Sequence, residues 1–355
     1  MNKIERKSNF ELLRIVSIFL IIMHHFSLNS NFEYQMNTFE DIYSKALRIF
    51  GKLGVFIFVI ISGYFYEKNN VNIKKIIKFI VKICFFSIFG LLMGLLFKSE
   101  KINFLNIIKS LFPNIFGLYW FATCYLILMI LMPYIQILIN NLDRKAMKRL
   151  VFVLFFLFSI VSMVPKTKVY YNELLMFIAI YLLGTYIKKY KIEVTSNKKL
   201  ILAILVEILV IFLSVVIINI ISNKMNMFKE YLYYFCSLNS PLTVLLGLTI
   251  FLLFQNIDIG TNIYINKIAS TTFGIYLIHD NMFLKQIIWL KLINANRFYN
   301  IKLIFISILG IFLVFFICAL IDYFIENTIL LKVNNKIDVL CEKKKMIINE
   351  GENIK

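Results

Sequence analysis

Apolar residues in this chain come in runs long enough to cross a bilayer. The stretches 201–221 and 303–321 are almost unbroken Ile, Leu, Val and Phe, and about 20 helical residues span a hydrocarbon core of ~30 Å. Backbone groups in lipid must be satisfied within their own segment, so each run reads as a helix. The pattern predicts an all-α polytopic membrane protein of about ten helices, at 10–29, 47–66, 76–97, 117–140, 149–165, 172–188, 199–221, 237–256, 270–290 and 301–323. Pro113, Pro165 and Pro241 fall between spans or at their ends, where a missing backbone donor does least harm. Pro133 is the exception and is expected to kink the fourth helix. The stretch 103–116 is apolar but interrupted by Lys109 and Pro113, and is expected at the membrane interface. No internal repeat is visible, which counts against an inverted-repeat transporter.

Composition agrees with the pattern. Of 355 residues 60% are hydrophobic and only 17% charged, too few charges to coat a soluble fold of this size. The net charge of +19 would indicate nucleic acid if the basic residues clustered on one soluble module. They punctuate the apolar runs instead, which fits contact with anionic membrane lipid and no nucleic-acid partner. Counted over alternate loops, Lys and Arg are concentrated on the side of the N-terminus, so the positive-inside rule puts both termini in the cytoplasm. The first span holds Arg14, His24 and His25 and lacks a small-residue cleavage site, so it is expected to be a retained helix. The expected organisation is a transmembrane domain over 1–330 and a short cytoplasmic tail over 331–355. The five cysteines show no CxxC or other ligand spacing, so neither a metal site nor a disulfide framework is indicated. The abundance of Ile, Lys and Asn suggests an AT-rich genome.

Ionisable groups inside membrane helices are costly, about 2.5–3.5 kcal/mol each near the centre, and are therefore usually functional. The first helix carries Glu11, Arg14, His24 and His25. Eleven residues separate Arg14 from His25, which returns to within ~20° of one face and sets them ~16 Å apart. Glu11 lies one turn before Arg14, close enough to neutralise it. Arg14 is either a snorkelling end-of-helix charge or a site cation. His25 is either an interfacial histidine satisfied by a neighbour or a general base. His24 points ~100° away from His25 and is assigned a structural role outside that site. His279, in the ninth span, falls at a similar depth and can share a pocket with His25; Asp280 beside it is expected to splay away on the helix. Gly51, Gly54, Ser62 and Gly63 permit close helix approach. Lys74, Lys75 and Lys78, with Lys82, form a basic face suited to lipid headgroups or to acyl-CoA phosphates. Tyr119 and Trp120 read as an aromatic belt.

These segments together resemble the acyltransferase-3 family. Arg14 and His25, with ten residues between them, are similar to its first-helix pair. Gly54-Val55-x-x-Phe58-x-x-x-Ser62-Gly63-Tyr64 is similar to its second-helix motif. Tyr119-Trp120-Phe121 with Tyr125 and Pro133 resembles its tryptophan-tyrosine helix, and Ile275-Tyr276-Leu277-x-His279 its late motif. The resemblance covers roughly residues 9–330.

It implies transfer of an acyl group, commonly acetyl, from cytoplasmic acyl-CoA to a hydroxyl of an envelope or exopolysaccharide glycan or its lipid-linked precursor, in a multi-pass protein of the inner (plasma) membrane. His25 would be the base or acyl relay, with His279 beside it, and Arg14 would hold the donor or orient the helix. Ser62, Gly63 and Tyr64 would line the donor entrance, with Lys74, Lys75 and Lys78 on the CoA phosphates. Glu11, Tyr119, Trp120 and Tyr276 would contact substrate. Lysines stand where family members often carry arginine, and they meet phosphate as point charges rather than bidentately. The extra extracytoplasmic domain of some relatives is expected to be missing. Two rival classes remain: an exporter of lipid-linked sugar, and a non-catalytic component of polysaccharide synthesis machinery.

Overall fold

A computed structural model of the chain describes residues 7–65, 73–99, 101–164, 171–194, 196–225 and 228–352. Pro165 lies outside the described residues. Among the described residues the protein is helical without strands. The helices are α1 Ser8–Asn29, α2 Phe39–Leu47, α3 Gly51–Tyr64, α4 Ile73–Leu96, α5 Phe104–Leu111, α6 Trp120–Asn141, α7 Arg144–Phe155 and α8 Glu173–Lys189. They continue with α9 Asn197–Met225, α10 Pro241–Asn256, α11 Ile263–Ala269, α12 Thr272–His279, α13 Leu284–Gln286, α14 Asn300–Ile325 and α15 Leu331–Glu352. Eight described helical segments are long and apolar enough to cross a membrane. The other two expected spans correspond to α8, which has 17 residues, and to the broken segment containing α12 and α13.

Polar caps start several of these helices where the apolar pattern begins. Thr38 accepts from the Asp41 amide ahead of α2, Asn103 from Asn106 ahead of α5, and Asp143 from Ala146 ahead of α7. Each satisfies an amide that the first turn would leave orphaned. The expected first loop thus contains a short helix, α2, before the deep part of the second span. Pro133 sits inside α6, which continues through it. The 103–116 stretch folds as α5 with Phe104, Leu105, Leu111 and Phe112 exposed, as an amphipathic interfacial segment requires.

The innermost helix is α3, held by small residues at its crossings. A Cβ on Gly63 would run into the Tyr181 backbone of α8, and a Cβ on Gly184 into the Ile60 backbone of α3. The two glycines therefore let the two backbones touch reciprocally, and Gly54 does the same against α1 at Ser17 and Ile21. In lipid, where apolar surface alone gives little drive to associate, such close approach is what packs helices. At the periphery, α9 and α14 turn Leu205, Leu209, Phe305, Phe312 and Phe316 outward, the face a membrane protein gives to lipid.

The expected ninth span is not one helix. It stops at His279, and Asn281 organises the break. The Asn281 side chain accepts from the Phe283 and Leu284 amides at 3.0 and 3.4 Å, capping the start of α13, and donates to the Tyr119 hydroxyl at 2.7 Å. Gly90 of α4 leaves room for its amide. Irregular backbone of this kind is tolerated at membrane depth only when protein satisfies it.

The tail is also not a loose extension. After α14 the chain runs on through a π-helical turn, Glu326–Leu330, into α15. Lys74 pairs with Glu342 and Lys78 with Asp338, each at 2.8 Å, so α15 lies along α4. Deeper on the same face, Lys82 reaches Asp322 at 2.8 Å and Glu326 at 2.6 Å. Asp322 is fully buried, in space that Gly274 leaves open. Removing one partner of a buried pair leaves an uncompensated charge, at about 3–5 kcal/mol. Lys82→Met is therefore expected to lower the thermal unfolding midpoint in detergent strongly, and adding Asp322→Asn should recover most of the loss. An unchanged midpoint in the single variant would show that the pair does not hold α4 to α14.

Candidate active site

A cavity of about 350 Å³ runs between α1, α3, α4, α6, α11 and α12. Glu11, Arg14, His24 and His25 border it from α1, Lys52 and Ser62 from α3, Trp120 and Tyr125 from α6, and Tyr276 from α12. The helical spacing that sets Arg14 and His25 on one face thus brings both to one cavity, at opposite ends ~16 Å apart.

At the Arg14 end charge is neutralised locally. Arg14 Nη1 lies 2.6 Å from Glu11 Oε1, one turn earlier on the same helix. Ser62 donates to the Phe58 carbonyl at 2.9 Å and meets the Tyr125 hydroxyl at 2.9 Å, which leaves Tyr125 as donor in that second bond. Beside this end a second cavity of about 330 Å³ shares Phe79 and Tyr125 with the first and is bordered by Lys75, Lys78 and Lys82.

At the other end, His25 and His279 meet. His25 Nδ1 lies 2.9 Å from His279 Nε2, and His279 Nδ1 lies 2.6 Å from the Ile275 carbonyl. A carbonyl only accepts, so His279 Nδ1 carries hydrogen, and in the neutral ring its Nε2 is then an acceptor. His25 Nδ1 must donate to it. The bonding network therefore assigns the lone pair of His25 to Nε2. Asp280 Oδ1 stands 3.8 Å from that nitrogen, because the helix ends at His279 and turns the next side chain back toward α1. Both imidazoles are buried, His279 completely. An unprotonated Nε2 on a histidine that borders a cavity can take a proton from a hydroxyl.

Several expectations change at this level. His24 borders the cavity as well, so the facing argument that kept it out of the site is incorrect: helix α3 starts against it, Gly51 packs on its ring, and its Nδ1 lies 2.7 Å from the Arg48 carbonyl. Gly63 and Tyr64 do not border the cavity. Gly63 makes the crossing with α8, and Tyr64 packs on Phe10 and Phe251. Tyr119 is buried behind the site on Asn281. Lys74 and Lys78 are engaged by α15 rather than facing solvent alone. Asp280 does not splay away, because the helix stops one residue before it; Asn281, a residue type that favours helix ends, is the sequence signal for that stop. Lys52 is a site residue that sequence reasoning misses, since it is one of several basic residues within spans. Its ammonium lies 3.6 Å from the centre of the Trp120 ring, and a lysine at such depth is itself a functional signal.

The family comparison agrees with this arrangement. The family model for the acyltransferase-3 acyltransferase domain matches residues 7–323, which takes in every helix that borders the cavity. No curated protein and no solved structure matches the chain. With most of its length matched by that one domain, on a multi-pass helical scaffold, the chain belongs to the acyltransferase-3 family and is a membrane acyltransferase.

Proposed function

We propose that this acyltransferase moves an acyl group, acetyl in the simplest case, from acyl-CoA to a hydroxyl of a cell-envelope glycan or its lipid-linked precursor. The observation that carries the reading is the cavity with Arg14 at one end and His25 at the other, His25 being held by His279, which does not itself border the cavity. With both termini in the cytoplasm of a bacterial plasma membrane, the Arg14 end faces the cytoplasm, where acyl-CoA is made. The neighbouring lysine-bordered cavity suits its phosphates, with Lys75 and Lys78 as the groups that meet them. The acceptor arrives at the His25 end from outside.

In this mechanism the acceptor hydroxyl attacks the thioester carbonyl while His25 Nε2 takes its proton. The imidazolium so formed is stabilised by Asp280 and keeps its Nδ1 bond to His279. His25 then returns the proton to the departing thiolate. His279 is a positioning residue: it fixes which nitrogen of His25 is free.

Membranes containing the wild-type protein, given acetyl-labelled acetyl-CoA, are expected to place alkali-labile label on envelope glycan. His25→Ala should reduce transfer by about 10²–10⁴-fold, the usual contribution of a positioned base, at equal protein level. Retained transfer would remove His25 from the base role, and absence of transfer by the wild type would count against the acetyl donor or the glycan acceptor.

The tautomer argument yields a separate expectation. His279→Gln offers an amide oxygen that still accepts from His25 Nδ1, whereas His279→Leu does not. Initial rates should rank wild type, then Gln, then Leu. Equal rates for Gln and Leu would mean that His279 does not set the tautomer.

A further inference from the structure

Among the described residues, one cation of the cavity is in contact with no carboxylate, although Glu173 and Asp280 lie near enough to act on it. Arg14 has Glu11, Lys78 has Asp338, and Lys82 has Asp322 and Glu326. Among the described residues none brings a carboxylate within 4 Å of the Lys52 ammonium; its partner is the face of Trp120. An aromatic face attracts a cation without neutralising it. Such a charge, kept beside a cavity, is matched to negative charge that the cavity acquires in use.

Its place in the molecule says which charge. Gly51, the preceding residue, packs on the His24 ring, so Lys52 leaves α3 at the level of the two histidines. From Trp120 a series of ring contacts returns to them: Phe121 at 6.3 Å, Tyr276 at 5.5 Å, His279 at 6.4 Å and His25 at 5.0 Å. Lys52 and Tyr276 thus border the same end of the cavity as His25. Tyr276 is 4% exposed; the Phe121 backbone amide is a donor toward its hydroxyl oxygen, and among the described residues the hydroxyl finds no acceptor. A buried phenol left in that state calls for an explanation, and a ligand atom in the cavity its ring borders is one.

We propose that Lys52 and Tyr276 form the oxyanion site of the acyl transfer; the proposal rests on the acyl-transfer reading above. As the acceptor oxygen bonds to the thioester carbon, the carbonyl π pair moves onto oxygen and the hydroxyl proton goes to His25. The charge on that oxygen is what Lys52 and the Tyr276 hydroxyl hold. When the pair returns to re-form the carbonyl, the carbon–sulfur bond breaks and the thiolate takes the proton from His25. Donors placed in advance where charge develops act mainly on the transition state.

The test separates transition-state from ground-state binding. Lys52→Met keeps the aliphatic stem on Trp120 and removes the charge; Lys52→Arg keeps the charge; Tyr276→Phe removes one donor. Purified proteins in nanodiscs are compared for label transfer from acetyl-CoA and for binding of S-ethyl-CoA, a thioether without the carbonyl. Transfer is expected to fall about 10²–10³-fold in Lys52→Met, the range for loss of one oxyanion donor, and less in Lys52→Arg and Tyr276→Phe. Binding of the thioether should stay within about threefold, as a transition-state contact requires. If Lys52→Met loses thioether binding as steeply as transfer, or keeps full transfer, the oxyanion role is overturned. Lys52→Gln supplies the same comparison should the Met variant misassemble, judged by size-exclusion profile. Absence of transfer by the wild type, by contrast, overturns the acetyl donor or glycan acceptor proposed above, on which the oxyanion site rests.

Discussion

The hydrogen bond between His25 and His279 joins the first helix to the broken one, and the arrangement of the site depends on it. Both rings are buried, His279 completely, so their polar atoms need partners in protein. The Ile275 carbonyl, one turn back on α12, orients His279; His279 orients His25; and the break after His279 turns Asp280 toward the remaining nitrogen. Each part fails without the one before it. An unbroken helix would carry Asp280 about 100° around the axis from His279, and the carboxylate would be lost to the site. The cap formed by Asn281, with room made by Gly90, thus shapes the site as much as the imidazoles do.

Charge is distributed by a second constraint. A lysine or arginine within a span is costly unless something answers it, and this chain answers most of them with carboxylates on neighbouring helices. The ladder from Lys74 to Lys82 is met by Glu342, Asp338, Asp322 and Glu326, so α15 is part of the bundle's electrostatics. The same ladder restricts how the second cavity can be used. A donor whose phosphates approach Lys75 and Lys78 meets α15 at the same surface, and Lys78 must trade Asp338 for phosphate. Partly exposed pairs of this type are individually weak, so the exchange is feasible, whereas the buried Lys82–Asp322 pair is not available for it.

Legibility in the sequence follows the periodicity of each feature. Helices made of apolar runs, and the shared face of Arg14 and His25, are regular at 3.6 residues and can be read directly. The features that escape such a reading are those where regularity stops. The ninth span reads as continuous because its composition is, although Asn281 and the short polar turn around it end the helix. Gly63 and Tyr64 belong to the Ser-Gly-Tyr segment, yet only Ser62 turns to the cavity, because Gly63 is needed at the α8 crossing. His24 illustrates a different limit: an angle of ~100° separates two side chains on one helix, but a cavity between six helices is wide enough to be bordered by both.

The two ends of the cavity differ in a way that bears on direction. Both hold a cation, but Arg14 is neutralised within its own helix turn by Glu11, whereas Lys52 lies over Trp120 with its carboxylates, Glu173 and Asp280, beyond contact. A ligand bringing permanent negative charge gains little from a paired arginine unless it displaces the carboxylate. The unpaired lysine favours whatever becomes negative beside it. An acyl donor with its phosphates held near the lysines of α4 and its thioester extended along the α1 face would therefore meet rising positive potential as its carbonyl approaches His25. Binding and chemistry are then driven at separate ends, and the enzyme can hold its donor without spending on the ground state the charge that it needs in the transition state.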